Sequence, residues 1–186
     1  RPKTIPVTEQ ALNDYRDGWT IWGIQAFDSH PPMMESGLMP ILQIASDWRE
    51  SFTSGGIPCG AITGLTASMQ SRLVRSVYCM PLSGSKVKDI ESKYYLALRF
   101  SVYRDLGTII AANPATILAM TRLGDREKET LIRDLRNGTI DPKWQISPEV
   151  RKGLWLKTSI RRKSAVKRLE EIVNRTGRLL PRDYWP

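Results

Sequence analysis

Apolar residues along the first part of the chain recur at helical spacing. Leu12, Tyr15, Trp19, Trp22 and Ala26 step by three or four, which predicts a helix with a buried stripe. Thr8 is placed to cap it, with the first turn near Glu9. Gly18 and Gly23 each cost a helix roughly 1 kcal/mol relative to Ala, so close packing or a bend is expected there. Ser29-His30-Pro31-Pro32 ends the helix, because proline bars the preceding residue from helical geometry.

The period then changes. Residues 38–45 read as a largely buried strand with Pro40 at its beginning, where proline is tolerated. A charged turn leads to Thr53-Ser54-Gly55-Gly56 and a second short strand over 57–63, which together predict a hairpin. Residues 76–80 are a third candidate strand. From Ser85 onward the spacing is helical again, with Ile90, Tyr94, Leu98 and Val102 on one stripe and Tyr95 and Ala97 flanking it. The apolar, β-branched segment 106–112 ends at Asn113-Pro114, and Pro114 suits the first position of a helix over 115–122. Asp125 is placed to cap another helix running to Arg136 and closed by Asn137-Gly138. Residues 139–153 read as loop, and 159–175 as a last helix ended by Gly177.

About three strands among six helices predict an α/β chain. The strands are too few for a complete doubly wound sheet, so part of a larger, mixed sheet is expected. The chain opens on Arg1 rather than Met and stops on Trp185-Pro186. Both ends are expected to be cuts through a longer protein.

Composition adds exclusions. The 186 residues are 41% hydrophobic and 25% charged with six Trp, which suits a folded domain and not a disordered chain. No apolar run approaches the ~20 residues of a membrane span, and no membrane partner is expected. Cys59 and Cys79 read as reduced thiols of a cytoplasmic protein. His30 is the only histidine and lies in a turn, so a surface position is expected. Cys/His zinc sites and His-based triads are excluded, and no metal ligands are nominated.

The charge of +9 comes from 28 basic and 19 acidic residues, and it is unevenly placed. Residues 143–186 hold 12 basic and four acidic side chains, nearly the whole excess. Arg161, Arg162, Lys163, Lys167, Arg168 and Arg175 surround a narrow apolar stripe of Ile160, Val166, Leu169 and Val173. A basic helix tracks phosphates, yet between Lys157 and Arg182 there are no aromatic residues for base stacking. A solvated outer face is therefore the expectation, with a basic nucleic-acid-binding module as the rival. Thr53-Ser54-Gly55-Gly56 lacks the Lys-Ser/Thr ending of a phosphate loop and reads as a tight turn. Glu127 and Glu129 read as solvated, and no pair of carboxylates is set for acid–base work.

The order of segments carries a resemblance. Arg1-Pro2-Lys3-Thr4-Ile5-Pro6 is similar to the end of the Ser/Thr/Gly-rich nucleotide loop of adenylate-forming enzymes, which closes on a lysine. Thr53-Ser54-Gly55-Gly56-Ile57-Pro58 after an apolar strand follows, then Lys93-Tyr94-Tyr95-Leu96-Ala97-Leu98 and Arg104-Asp105-Leu106. An apolar helix over 111–118, a helix over 131–138 ending in Gly, and a closing Trp-Pro complete the series. In this order they resemble the auxin-responsive (Gretchen Hagen) family of acyl acid–amido synthetases, more closely its bacterial members.

The resemblance implies that residues 1–186 are part of a single larger N-terminal acyl-adenylating domain, with 143–186 its basic helical segment. It implies a ligase that uses ATP and Mg²⁺ to make an acyl-adenylate from a small carboxylic acid and passes the acyl group to an amino acid or other amine. Lys3 matches the loop lysine, and Arg1 stands beside it, so both are expected at the nucleotide. By position, Ile21, Ile24, Asn113 and Ile117 are expected to wall the acyl pocket. Asn113-Pro114 stands where plant members carry Phe-Ala, so a plant-hormone-like acid is not expected. No catalytic constellation lies within the chain, and by itself it is expected to be inactive. A non-catalytic relative that has lost the nucleotide loop is the second rival.

Overall fold

The computed structural model describes residues 5–31 and 39–185. Helix α1 (Glu9–Ser29) starts where expected, the Thr8 hydroxyl accepting the Ala11 N–H at 3.1 Å, and it ends at His30. Its stripe is only half covered: Leu12, Trp19 and Ala26 are half-buried, while Tyr15 and Trp22 are exposed. The periodicity reports which face is apolar and not what lies over it. Trp19 and Trp22 meet edge to face at 5.1 Å. Of the close packing or bend expected at Gly18 and Gly23, close packing is not found among the described residues, none of which lies within 4 Å of a Cβ placed at either.

Strand β1 (Ile41–Gln43) is buried along its length and pairs in parallel with β4 (Thr108–Ile110), Leu42 opposite Ile109. Residues 76–80 contribute a single parallel bridge at Tyr78 to the other edge of β1, rather than a full strand. Ile41 donates to the Val77 carbonyl at 3.0 Å and Cys79 donates to the Ile41 carbonyl at 2.9 Å. The expected hairpin is present with different arms. Strands β2 (Ser51–Phe52) and β3 (Pro58–Cys59) pair antiparallel around the glycine turn, and 62–69 is helix α2 (Ile62–Met69). The helix lies against the chain that leaves β1. At Gly64 a Cβ would sit 2.0 Å from the Ser46 carbonyl oxygen, so only glycine fits. Helix α3 (Arg72–Ser76) and a 3₁₀ turn (Leu82–Lys86) follow.

Helix α4 (Ile90–Ser101) is the centre of the core. Asp89 caps it, accepting the Ser92 N–H at 2.8 Å. The single stripe expected for it is too narrow. Tyr95, Leu96, Ala97, Leu98 and Phe100 are all fully buried, whereas Ile90 is exposed. A helix buried on nearly every side shows no clean 3.6-residue contrast. Helix α5 (Pro114–Arg126) packs on α4, with Asn113 as its cap and Pro114 in its first turn. The segment resembling an apolar helix over 111–118 is therefore the exit from β4 followed by the first turns of α5.

Asp125 belongs to the last turn of α5 and does not cap the next helix, α6 (Lys128–Asn137). Gly138 closes α6 with φ +72°, as expected of a left-handed helix end. Residues 139–153 are not all loop. Helix α7 (Pro148–Thr158) begins there, capped by Ser147 and held by Val150, Leu154 and Thr158. Helix α8 (Lys163–Thr176) starts four residues later than expected and ends at Gly177; the short α9 (Pro181–Tyr184) follows. The core unites Leu42, Cys79 and Met80 with the buried faces of α4 to α8.

Candidate functional site

Ligands of open α/β sheets gather at the carboxyl ends of parallel strands. Here those ends lead into Ser46 and Asp47 after β1 and into Asn113 after β4. The Asn113 side chain accepts the Ala115 N–H at 2.8 Å, fixing the first turn of α5 at this edge. Asn113 is exposed, and Ile117, one turn on, is half-buried. From the start of α4, the Tyr94 hydroxyl reaches the Thr116 hydroxyl at 3.5 Å.

Lys93, the first residue of the Lys93–Leu98 run and not among the expected site residues, stands at the same edge. It is 7% exposed and donates to the Ser46 hydroxyl at 2.8 Å. Ser46 in turn donates its N–H to the Thr63 hydroxyl at 3.3 Å. Burial holds the Lys93 ammonium below the usual lysine range, with Glu50 and Asp47 opposing that shift. Its position inside an otherwise apolar and aromatic run, Lys93 to Leu98, is the signal that marks it.

Ile21 and Ile24 are 58% and 64% exposed on α1, three residues apart and so on one face. They share a helix with each other, as Asn113 and Ile117 do. The two pairs sit on separate elements, α1 packing on α2 while α5 packs on α4 and α6. Arg1 and Lys3 lie outside the described residues. The Thr53–Gly56 turn is a hairpin tip: Gly56 donates to the Thr53 carbonyl and Ile57 to the Thr53 hydroxyl. Those two N–H groups are thus committed to the turn. Among the described residues, no three of His, Cys, Asp and Glu come together as a metal site.

A second polar cluster lies deep in the core. Asp134 is 1% exposed; its carboxylate accepts the Tyr95 hydroxyl at 2.5 Å, the Thr139 hydroxyl at 2.7 Å and the Asp141 N–H at 2.8 Å. Arg99 is fully buried and donates to the carbonyls of Asp134, Thr139 and Thr158. Burial and then the Asp134 charge hold the Tyr95 phenol well above its usual range. These bonds tie α4 to α6 and α7, while Arg99 Nη1 is buried without a hydrogen-bond partner among the described residues. Cys79 and Cys59 are both free, and burial pushes the Cys79 thiol up to about 11. Glu127, expected to be solvated, is instead largely covered, between Lys143 and Arg126.

Much of the C-terminal basic surplus is committed to the fold. Arg151 donates to the carbonyls of Ile140, Asp141, Trp144 and Ile146. Arg162 lies over the Tyr103 ring at 4.2 Å, Arg168 donates to the Val102 carbonyl, and Arg178 pairs with Asp125.

Comparison with known proteins agrees with this architecture. The sequence matches the GH3 family N-terminal domain over residues 1–186. No curated protein matches it in sequence. Among solved structures, the fold is similar to that of a GH3.15 acyl acid amido synthetase, with a TM-score of 0.70 at 16% identity. That match covers 91% of this chain, which spans 30% of that protein's length. The helix-rich α/β fold with its small, incomplete sheet is thus part of a known domain, and the chain belongs to the GH3 family.

Proposed function

We propose that residues 1–186 form the acid-binding side of an acyl-adenylating domain, in an ATP-dependent ligase that joins a small carboxylic acid to an amino acid or other amine. The observation that carries this reading is the family match over the whole chain. The edge that an α/β sheet offers a ligand supports it, because Asn113 and Ile117 stand there on the first turns of α5.

The roles follow from the side chains. Lys3, with Arg1 beside it, meets the nucleotide phosphates, and its charge opposes the negative charge that grows on the α-phosphate as pyrophosphate leaves. Ile21, Ile24 and Ile117 present apolar surface to the acyl chain, while Asn113 fixes the start of α5. Mg²⁺ supplies charge neutralisation when bound; since no metal cluster occurs among the described residues, its ligands would come from elsewhere or from phosphate oxygens.

The test is acid-dependent ATP–pyrophosphate exchange by the full-length protein, run over a panel of aliphatic and aromatic carboxylic acids. Exchange that appears only with an acid supports the reading. ATP hydrolysis without exchange would overturn it. Isothermal titration of ATP into residues 1–186 alone is expected to show no micromolar binding; micromolar binding would place the whole nucleotide site inside this chain and contradict the proposed division.

A further inference from the structure

Lys93 lies in the first turns of α4 and is buried, yet among the described residues no carboxylate forms an ion pair with it. A buried cation without a counterion is costly, and ionisable groups so placed concentrate where a ligand binds. An ammonium carries three N–H donors, and one of those on Lys93 goes to the Ser46 hydroxyl at 2.8 Å. The other two find no acceptor among the described residues. Ser46 accepts that bond, and its own O–H likewise donates to none of the described residues. Ser46 is half-buried at the exit of β1 and is fixed from behind. Its N–H reaches the Thr63 hydroxyl at 3.3 Å, and its carbonyl lies against Gly64, where a Cβ would collide. Asp47 and Glu50 are near enough to favour the charged form of Lys93 without pairing with it, and Asp47 accepts the Arg49 N–H at 3.1 Å. Two unspent donors thus stand side by side at the carboxyl end of β1. The next residue, Tyr94, ties that end to the start of α5 through the Thr116 hydroxyl at 3.5 Å.

We propose that Lys93 and Ser46 bind the carboxylate of the acid substrate, the ammonium donating to one oxygen and the hydroxyl to the other. The inference rests on the acyl-adenylating reading above and assigns the polar end of the acid to two residues of this chain. Charge selects the occupant. The polyphosphate of a nucleotide would bring several negative charges to one ammonium that already has Asp47 and Glu50 nearby. A protonated amine would meet a like charge. A carboxylate brings one negative charge and two oxygens, matching one cation and two neighbouring donors.

The test is acid-dependent ATP–pyrophosphate exchange by the full-length protein, with an acid that supports it and the matching primary amide as competitive inhibitor. The amide keeps the shape of the acid and loses its charge. Lys93→Met should raise the KM for the acid at least about tenfold, the worth of a charge-assisted hydrogen bond. The KM for ATP, the exchange rate at saturating acid and the Ki of the amide should each stay within about twofold, as removal of ground-state binding requires. Ser46→Ala, a smaller change that carries the test should Lys93→Met not fold, should raise the acid KM about threefold and leave the amide Ki unmoved. An unchanged acid KM in the variants would overturn the proposal while the natural protein's exchange upheld the adenylating reading. Equal shifts for acid and amide would also refute it, because the two residues would then only shape the wall. Absence of acid-dependent exchange in the natural protein would overturn the reading itself and this proposal with it.

Discussion

Replacing Asp134 by Ala removes the acceptor of three hydrogen bonds at once, leaving the Tyr95 hydroxyl, the Thr139 hydroxyl and the Asp141 N–H unsatisfied. Each charge-assisted bond is worth about 1.5–3 kcal/mol, and a buried donor left without a partner costs about 1–3 kcal/mol. These terms are not additive, because the three donors share one carboxylate. Arg99, fully buried nearby, also loses the negative charge closest to it in the core. Breaking buried ionic networks by removing one member costs about 3–5 kcal/mol, and we expect Asp134→Ala to fall near 4. That is a large share of the roughly 5–15 kcal/mol by which domains are stable. Tyr95→Phe removes only the hydroxyl and keeps the ring stacked on Trp144 at 4.2 Å, so it should cost about 2 kcal/mol. Urea unfolding followed by far-ultraviolet circular dichroism and Trp fluorescence measures both, with the slope held in common. A loss below about 1 kcal/mol for Asp134→Ala would refute the reasoning, because it would mean that water or a side-chain shift satisfies the stranded donors.

Two further outcomes follow from the same structure. Asp125 is held below the usual carboxylate range, first by the Leu179 N–H and then by Lys128 and Arg178, with burial opposing. A depressed carboxylate contributes stability above its unfolded value of about 3.9 that is lost as pH falls through the folded one; acid titration of stability should therefore show a steeper decline below about pH 4 for the natural protein than for Asp125→Asn, and parallel curves would contradict it. Cys79 is fully buried with its thiol pushed up to about 11, whereas Cys59 is half-exposed, so Ellman's reagent should titrate one thiol in the native protein and two in urea; two fast thiols without denaturant would refute that placement.

How much of this was legible in the sequence depends on whether the signal is local. Thr8, Asn113-Pro114 and Gly138 act through their own backbone neighbours, and each sits where the sequence placed it. Asp125 has the chemistry of a cap, but its carboxylate is taken by Leu179, a residue 54 positions away. Helix α7 carried a sound start at Ser147-Pro148, but its inward face is only Val150, Leu154 and Thr158, and its outward Trp155 and Leu156 blur the period. The α4 stripe was drawn too narrow because a central helix is apolar on most sides, and the β1–β4 pairing joins segments more than sixty residues apart. At the candidate site, Asn113 and Ile117 stand on the first turns of α5 after β4, and their role as walls of an acyl pocket is part of the proposed function. Lys93 opens an apolar and aromatic run, which hints at burial, but the run does not say what its ammonium meets. It is tertiary approach, Ser46 coming to meet its ammonium, that sets it apart.

The central claim is that this chain supplies the loop-end lysine and the acid-side wall of an adenylating domain. Its most direct test is Lys3→Ala in the full-length protein, read by acid-dependent ATP–pyrophosphate exchange. Loss of one charge-stabilising group at the reacting phosphate should lower the exchange rate about 10²–10³-fold with the fold unchanged by circular dichroism. Exchange at the natural rate in that variant would contradict the account.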